Sequence, residues 1–363
     1  MDRLGLVGLP NSGKSALFNA LTNGHALVAS HPFSTTETEI GVAHVPDERL
    51  VALAEMSQSR KVVQAAFEVV DIAGVQKSSE GHGGLGTRFL AGIREVDALC
   101  LVLRSFEDDG VPGETDPTAA LQELELELVL ADAASLESQL GKKRKATQQD
   151  PVLAAALEAA PAALERLEQG TPLYRAALDP ERRAALRPLF LLTNKPVLAV
   201  INIGEDELGD ESRAAEHVEA VRRELGDAPG LEVLAASVQL EAEAARLEGA
   251  ERTELLEGFG LGEGALVRVA RAAYEILGRD TFLTTGDKES RAWTFPHGAK
   301  APECAGVIHS DLQRGFIKAD VIFWKDLLDA GSFANARHLG KVRLEGKDYV
   351  VKDGDVLEIR FNV

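Results

Sequence analysis

The chain has 363 residues, 45% hydrophobic and 27% charged, with a formal net charge of −19. A single hydrophobic core rarely grows beyond about 250–300 residues, so two or three domains are expected. The acidic balance argues against broad nucleic-acid binding, and no apolar run reaches the roughly 20 residues that span a bilayer. The two cysteines, Cys100 and Cys304, stand far apart in no metal-ligand spacing, which fits a reducing, cytoplasmic setting.

In chain order, Leu4–Val7 reads as a short buried strand, too short for a signal sequence. It runs into Gly8-Leu9-Pro10-Asn11-Ser12-Gly13-Lys14-Ser15, and a helical pattern follows with Ala16, Leu17, Phe18 and Leu21 on or near one face. This is G-x-x-x-x-G-K-S in a strand–loop–helix context, the signature of a phosphate cradle. Its glycines let successive backbone N–H groups converge on phosphate oxygens, and the helix dipole adds positive potential. Lys14 is expected on the β/γ-phosphates and the Ser15 hydroxyl on Mg²⁺; Asn11, Ser12, Gly13 and Ala16 complete the cradle. Thr35, in Ser34-Thr35-Thr36, is placed to finish the magnesium shell.

Ala66–Val70 reads as a second strand, ending in Asp71-Ile72-Ala73-Gly74. A carboxylate there can hold a magnesium-bound water, and the Gly74 N–H can meet the γ-phosphate, so the following loop senses its loss. In Ras-type proteins the residue after this motif is a glutamine that orients the attacking water. Here it is Val75, which cannot do so; Gln76, one residue late, serves only in a shifted register, and slow intrinsic hydrolysis with charge stabilisation supplied from elsewhere is expected.

Residues 116–140 have helical periodicity in Leu121, Leu124, Leu128, Ala131 and Leu140, and Lys142–Lys145 is a basic tetrad. Ala/Leu-rich helical stretches continue from Pro151 to about residue 190. Two helices packed back to back would form an arm, its tetrad either touching RNA phosphate or simply capping a solvated helix end. Asn194-Lys195-Pro196-Val197 imitates a guanine-reading motif but precedes the strand Val197–Ile201 and lacks the fourth-place Asp. The segment at the carboxyl end, where ligands sit in such sheets, is Asn202-Ile203-Gly204-Glu205. It has neither Lys nor Asp in the guanine-reading positions, and the Asn202 amide complements adenine N6 and N7, so ATP is expected over GTP. Asp206 is the rival guanine acceptor.

From Phe282 onward, alternating segments such as Val356–Phe361 and the turn signals Gly346-Lys347-Asp348 and Asp353-Gly354-Asp355 indicate strands. Residues 281–363 carry twelve Lys/Arg and twelve Asp/Glu, so the whole acidic excess lies earlier and a domain boundary falls near residue 280. His309 and Asp311, beside Arg314, read as structural or binding groups rather than catalytic ones.

The cradle, Pro32-Phe33-Ser34-Thr35, Asp71-Ile72-Ala73-Gly74, Arg291-Ala292-Trp293-Thr294, Gly306–Ile317 and the closing block Val342–Asp355 resemble the Obg-like ATPase (YchF) family over nearly the whole chain. The resemblance implies an α/β fold: a Ras-like P-loop NTPase domain (1–112 and 191–280), an inserted antiparallel helical arm (113–190) and a C-terminal β-grasp-like TGS domain (281–363). It implies ATPase activity, Mg²⁺ at Ser15 and Thr35, and adenine contact through the Ile203 backbone, with Glu205 and Ser237 on the base side. It also implies association with ribosomes and translation; contact with the ribosome or RNA through the arm and TGS domain, a cytoplasmic location and a monomeric state are further expectations. An asparagine at the place of Asn11 ligates a monovalent cation in related GTPases, making K⁺ a further candidate cofactor; the alternative is a loop-stabilising amide. Thr38-Glu39, residues 78–83 and Gln239 depart from the family pattern. The alternatives are a divergent GTPase, a nucleotide-controlled RNA- or ribosome-binding module with negligible hydrolysis, and, disfavoured by the Asp71–Gly74 motif, a small-molecule kinase.

Overall fold

The computed structural model describes residues 1–22, 26–28, 39–72, 87–108, 110–141, 150–208, 211–226, 231–247 and 249–362, the side chains of 26–28, 87, 88 and 211 excepted. Thr35, Gly74, Val75 and the tetrad at 142–145 lie outside the described residues. The chain divides into two compact units, Met1–Ala43 with Glu68–Leu277, and His44–Phe67 with Gly278–Val363.

The first unit is built on strands β1 (Arg3–Val7), β2 (Ala26–Val28) and β3 (Glu39–Val45); β4 (Val62–Val63) belongs to the second unit's sheet. Strands β5 (Ala65–Asp71), β6 (Ala98–Arg104), β7 (Val197–Asn202) and β8 (Leu231–Ala236) complete a seven-stranded sheet of order β2-β3-β5-β1-β6-β7-β8. β1 pairs in parallel with both β5 and β6, and β6–β7–β8 continue in parallel. The continuous apolar runs of β6 and β7 follow from burial on both faces, as helices cover a parallel sheet from either side. Helix α1 (Lys14–Leu21) leaves the carboxyl end of β1 and buries Leu17, Phe18, Ala20 and Leu21. Because β1 lies between β5 and β6, the carboxyl ends of these strands form the switch point at which such sheets bind ligands.

Two helices of the second unit and the first, α2 (Glu48–Met56) and α3 (Thr87–Arg94), precede the antiparallel helical arm of α4 (Pro117–Gly141) and α5 (Pro151–Glu168). Along α4 the apolar side chains serve two cores. Ala120, Leu121, Leu124 and Leu128 pack into the sheet's core. Val129 and Leu136 join Ala156, Leu157, Ala160, Ala163 and Leu167 of α5 in a separate one. Buried Asp132 of α4 accepts hydrogen bonds from Leu192 N (2.8 Å), Thr193 N (2.8 Å) and Thr193 Oγ1 (2.7 Å), which fixes the chain as it returns toward β7. Asn194 and Lys195 close the same entrance. Asn194 Nδ2 donates to Arg183 O (3.1 Å), and Lys195 Nζ donates to Arg94 O (3.2 Å) and Val96 O. Their place before β7 and these backbone partners give them a structural role, as the order of residues along the strand requires.

After α6 (Pro180–Ala185), the first unit continues with α7 (Glu211–Leu225), α8 (Val238–Ala244), α9 (Gly249–Gly258) and α10 (Ala265–Ile276). The second unit holds β9 (Arg279–Thr284), β10 (Ser290–Pro296), α11 (Ala301–Ile308), α12 (Ser310–Arg314), β11 (Phe316–Phe323), α13 (Trp324–Ala330), α14 (Phe333–His338), β12 (Arg343–Glu345) and β13 (Asp355–Phe361). Its sheet order is β12-β11-β13-β9-β10-β4, with β13 parallel to β9 and each antiparallel to its other neighbour, around a core of Phe282, Phe295, Cys304, Val321 and Leu357. Residues 44–67, which the sequence groups with the chain around them, pack here. β4 pairs with β10, Ser59 Oγ donates to Gly286 O (2.6 Å), and Arg49 pairs with both Asp47 and Asp353. His309 Nδ1 accepts from Asp311 N (3.1 Å) and so caps α12. Both cysteine thiols are buried, and burial pushes each up to about 12.

Asp132→Ala leaves three donors without their acceptor, so it should lower stability by about 3 kcal/mol or more, read from urea unfolding; a loss within 1 kcal/mol, on the scale of a routine surface substitution, would contradict the role given to Asp132. A second measurement concerns Glu125, which is buried and accepts from Tyr174 Oη (2.9 Å) and Arg175 Nη2 (2.7 Å). Burial outweighs the opposing pull of Arg175 and Tyr174 and raises its carboxyl from 4.5 to about 7. The folded state therefore holds a proton that the unfolded state releases. This contribution to stability is fully present below pH 4.5 and is lost as pH rises through about 7. Thermal melts across that window should show the wild type losing stability relative to Glu125→Gln; parallel curves would contradict the assignment.

Candidate functional site

The cradle forms because the chain must turn between β1 and α1 within Gly8–Gly13. Gly13 caps α1 in the left-handed region (φ 96°), and Asn11 is left-handed as well (φ 65°), the conformation asparagine tolerates best among residues with a Cβ. A Cβ on Gly13 would collide with Asn202 Nδ2, and one on Gly8 with Val102 O and Ser12 Oγ, so both glycines are required by close approach. Buried Lys14 lies across the loop, its Nζ donating to Gly8 O (2.9 Å) and Leu9 O (3.0 Å). At its side Ser15 Oγ donates to Asp71 Oδ2 (2.7 Å). Burial pushes the Lys14 ammonium below its ordinary range, against the pull of Asp71. Burial likewise raises the Asp71 carboxyl, against the Ser15 hydrogen bond and the Lys14 charge. The sequence-predicted Lys14, Ser15 and Asp71 are thus brought together at the ends of β1 and β5.

Ser15 and Asp71 form a small set of hard oxygen donors that fits Mg²⁺, which prefers oxygen and keeps several waters. Among the described residues no group of three or more His, Cys, Asp or Glu side chains is arranged to hold a metal, so no rival all-protein cage is present there. Ala16 follows as an exposed residue of the first turn of α1, while Ser12 is buried. The Asn11 amide nitrogen donates to Pro112 O (2.9 Å), which ties the cradle to the loop after β6.

On the base side the structure differs from the expectation for Asn202. Its amide does not present an edge outward. Nδ2 donates to Ser12 O (3.0 Å) and Oδ1 accepts from Val238 N (3.2 Å), and the residue is buried. Both polar atoms are held by protein partners, so Asn202 braces the cradle against the loop before α8. Ile203 is buried with its N–H donated to Ala236 O (3.1 Å); Glu205 is exposed; Ser237 is buried at the start of α8. Asp206, the rival acceptor, is exposed and folds back over Gly204.

Four further side chains shape this side. Buried Arg104 donates to Phe106 O (2.9 Å) and Val111 O (2.9 Å), and its guanidinium lies 4.3 Å from the Phe106 ring centroid. Ser105 Oγ donates to Glu207 Oε1 (3.1 Å), and Glu207 is buried beside His217 (3.5 Å). A sequence signal exists for Arg104 and Ser105: they follow the apolar run Ala98–Leu103 at its carboxyl end. Glu207 sits in an acidic run that reads as solvated.

A largely parallel sheet with this cradle, its lysine, and a serine–aspartate pair at the switch point defines a P-loop nucleoside triphosphate-binding protein. Comparisons with known proteins agree. A family model described as a 50S ribosome-binding GTPase matches residues 3–137, and one for the C-terminal part of YchF GTPases, described as a protein of unknown function, matches residues 280–362. The "Ribosome-binding ATPase YchF" of Bacillus subtilis is 44% identical over 363 residues, and that of Escherichia coli O157:H7 is 40% identical over 365, each covering 99% of both chains. The solved Schizosaccharomyces pombe YchF GTPase is 30% identical, with a TM-score of 0.84 over 99% of this chain and 97% of that one. The chain belongs to the YchF family.

Gly13→Ala forces a Cβ into the Asn202 amide at a positive φ, so nucleotide affinity should fall by about 100-fold or more with the fold retained by circular dichroism. Unchanged affinity by calorimetry would refute the brace.

Proposed function

We propose that this chain is an Mg²⁺-dependent ATPase that works in the cytoplasm as a ribosome-associated switch; its relatives in Bacillus subtilis and Escherichia coli O157:H7 are named ribosome-binding ATPases. The observation that carries the reading is the Ser15–Asp71 pair at 2.7 Å beside Lys14. On this reading Lys14 would neutralise the β/γ oxygens, Ser15 and Thr35 would hold Mg²⁺, Asp71 would support the metal from the strand end, and the Gly74 N–H would meet the γ-phosphate. When bound, Mg²⁺ supplies charge neutralisation across the phosphate oxygens. Asn11, Ser12, Gly13 and Ala16 contribute the cradle's backbone and side-chain contacts, and K⁺ is a further candidate beside Asn11.

Preference for ATP is supported by the loop after β7, whose Asn202-Ile203-Gly204-Glu205 lacks the Lys and the Asp that read guanine. With the Asn202 amide held by Ser12 and Val238, base reading falls to backbone groups of Ile203–Glu205 other than the Ile203 and Gly204 N–H groups, which are donated to Ala236 O (3.1 Å) and Glu207 Oε1 (3.4 Å), near Ser237. Slow intrinsic turnover is supported by Val75, which has no group to orient water. No helix among the described residues is long and apolar enough to cross a membrane.

Equilibrium competition between ATP and GTP, with Mg²⁺, tests this reading. ATP should bind about tenfold tighter or more, a difference of about 1.4 kcal/mol, and Lys14→Ala should lower kcat/KM for ATP by about 100-fold or more. Tighter GTP binding would move base recognition to Asp206 and make the chain a divergent GTPase.

A further inference from the structure

Glu207 is a buried acid in the loop after β7, with 2% of its surface exposed. A buried carboxylate is costly unless it is hydrogen-bonded, and here Oε1 carries the hydrogen bonds while buried Oε2 has no hydrogen-bond partner. Its Oε1 accepts from Ser105 Oγ (3.1 Å) at the end of β6 and from Gly204 N (3.4 Å) in the loop after β7. Its Oε2 faces His217 Nε2 (3.5 Å) and Arg213 Nε (4.0 Å), which project from adjacent turns of α7. The backbone closes the arrangement: Glu207 N donates to Gly204 O (3.2 Å), and Ser105 N donates to Asn202 O (3.0 Å). One side chain therefore joins the ends of two parallel strands and a helix around Gly204, the residue of the loop with the greatest conformational freedom.

We propose that Glu207 is the positioning residue for base recognition: through its hydrogen bonds with Ser105 and Gly204 it fixes the peptide groups of Ile203–Glu205 in the orientation that reads the adenine edge, with His217 and Arg213 lying near its other oxygen. The proposal rests on the ATP-binding reading given above. Glu207 acts through the loop, so its removal should weaken the contribution of the base while the phosphate side, built on Gly8–Ser15 and Asp71, is spared. Sub-ångström placement of recognition groups depends on such supporting contacts.

Inorganic tripolyphosphate, which has no base, separates the two sides. Glu207→Ala should raise the Kd and KM for Mg-ATP by about tenfold or more, with tripolyphosphate affinity and kcat at saturation changing by less than about twofold. Glu207→Gln keeps an acceptor for Ser105 and Gly204 and should recover most of the affinity. If Glu207→Ala does not fold, Glu207→Asp carries the test, since its shorter side chain withdraws from both donors and should show the same ATP-selective loss. Unchanged ATP affinity, or an equal loss for tripolyphosphate and ATP, would overturn the proposal. Wild-type protein that binds ATP no tighter than tripolyphosphate would overturn the reading on which it rests, and that is scored before any variant is made.

Discussion

One primary amide joins the phosphate cradle to the end of β7 and the start of α8. Asn202 sits where β7 ends, donates to the carbonyl of Ser12 in the cradle, and accepts from the N–H of Val238 at the start of α8. Three segments far apart in sequence are held by two hydrogen bonds in a buried setting, where each is stronger than in water and costly to leave unmade. Gly13 has no room for a side chain because this amide lies against it. The helix that follows Gly13 then carries Lys14 and Ser15 to the place where Asp71 meets them.

Around this brace the site is held in layers. The sheet places every contributing segment at one edge, because β1, β5, β6, β7 and β8 all point the same way. The opposite edge is closed by Asp132, Asn194 and Lys195, which secure the return of the helical arm. Between the layers, Arg104 and Glu207 bury charge against backbone and side-chain partners close to the strand ends. Charged groups in such positions hold loops in one conformation, which is what a site that must recognise a phosphate chain and a base together requires.

Much of the cradle was legible in the sequence because its information is local. A short apolar run, two glycines at fixed spacing, Lys-Ser and a helical pattern are contiguous, and Asp71 ends a strand that reads as one. The role of Asn202 was not legible: its partners are supplied by Ser12 and Val238, so the amide that complements adenine on paper is held inward. Glu207 lies in Glu205-Asp206-Glu207, where all three acids look solvated, and only the approach of Ser105 and His217 separates the buried one from its neighbours. Residues 44–67 read as part of the surrounding chain, yet Arg49 finds Asp353, 304 positions away. The rejection of Asn194-Lys195 as a base reader followed from strand direction, a rule that needs only the order of residues.

The central claim is that Ser15 and Asp71 form the metal side of a triphosphate site. A crystal structure with Mg²⁺ and a non-hydrolysable ATP analogue tests it most directly. The metal is expected on Ser15 Oγ, with Asp71 released from its serine contact to face the metal and Lys14 turned from the loop carbonyls to the β/γ oxygens. A metal bound elsewhere, or a triphosphate lying outside Gly8–Ser15, would contradict it.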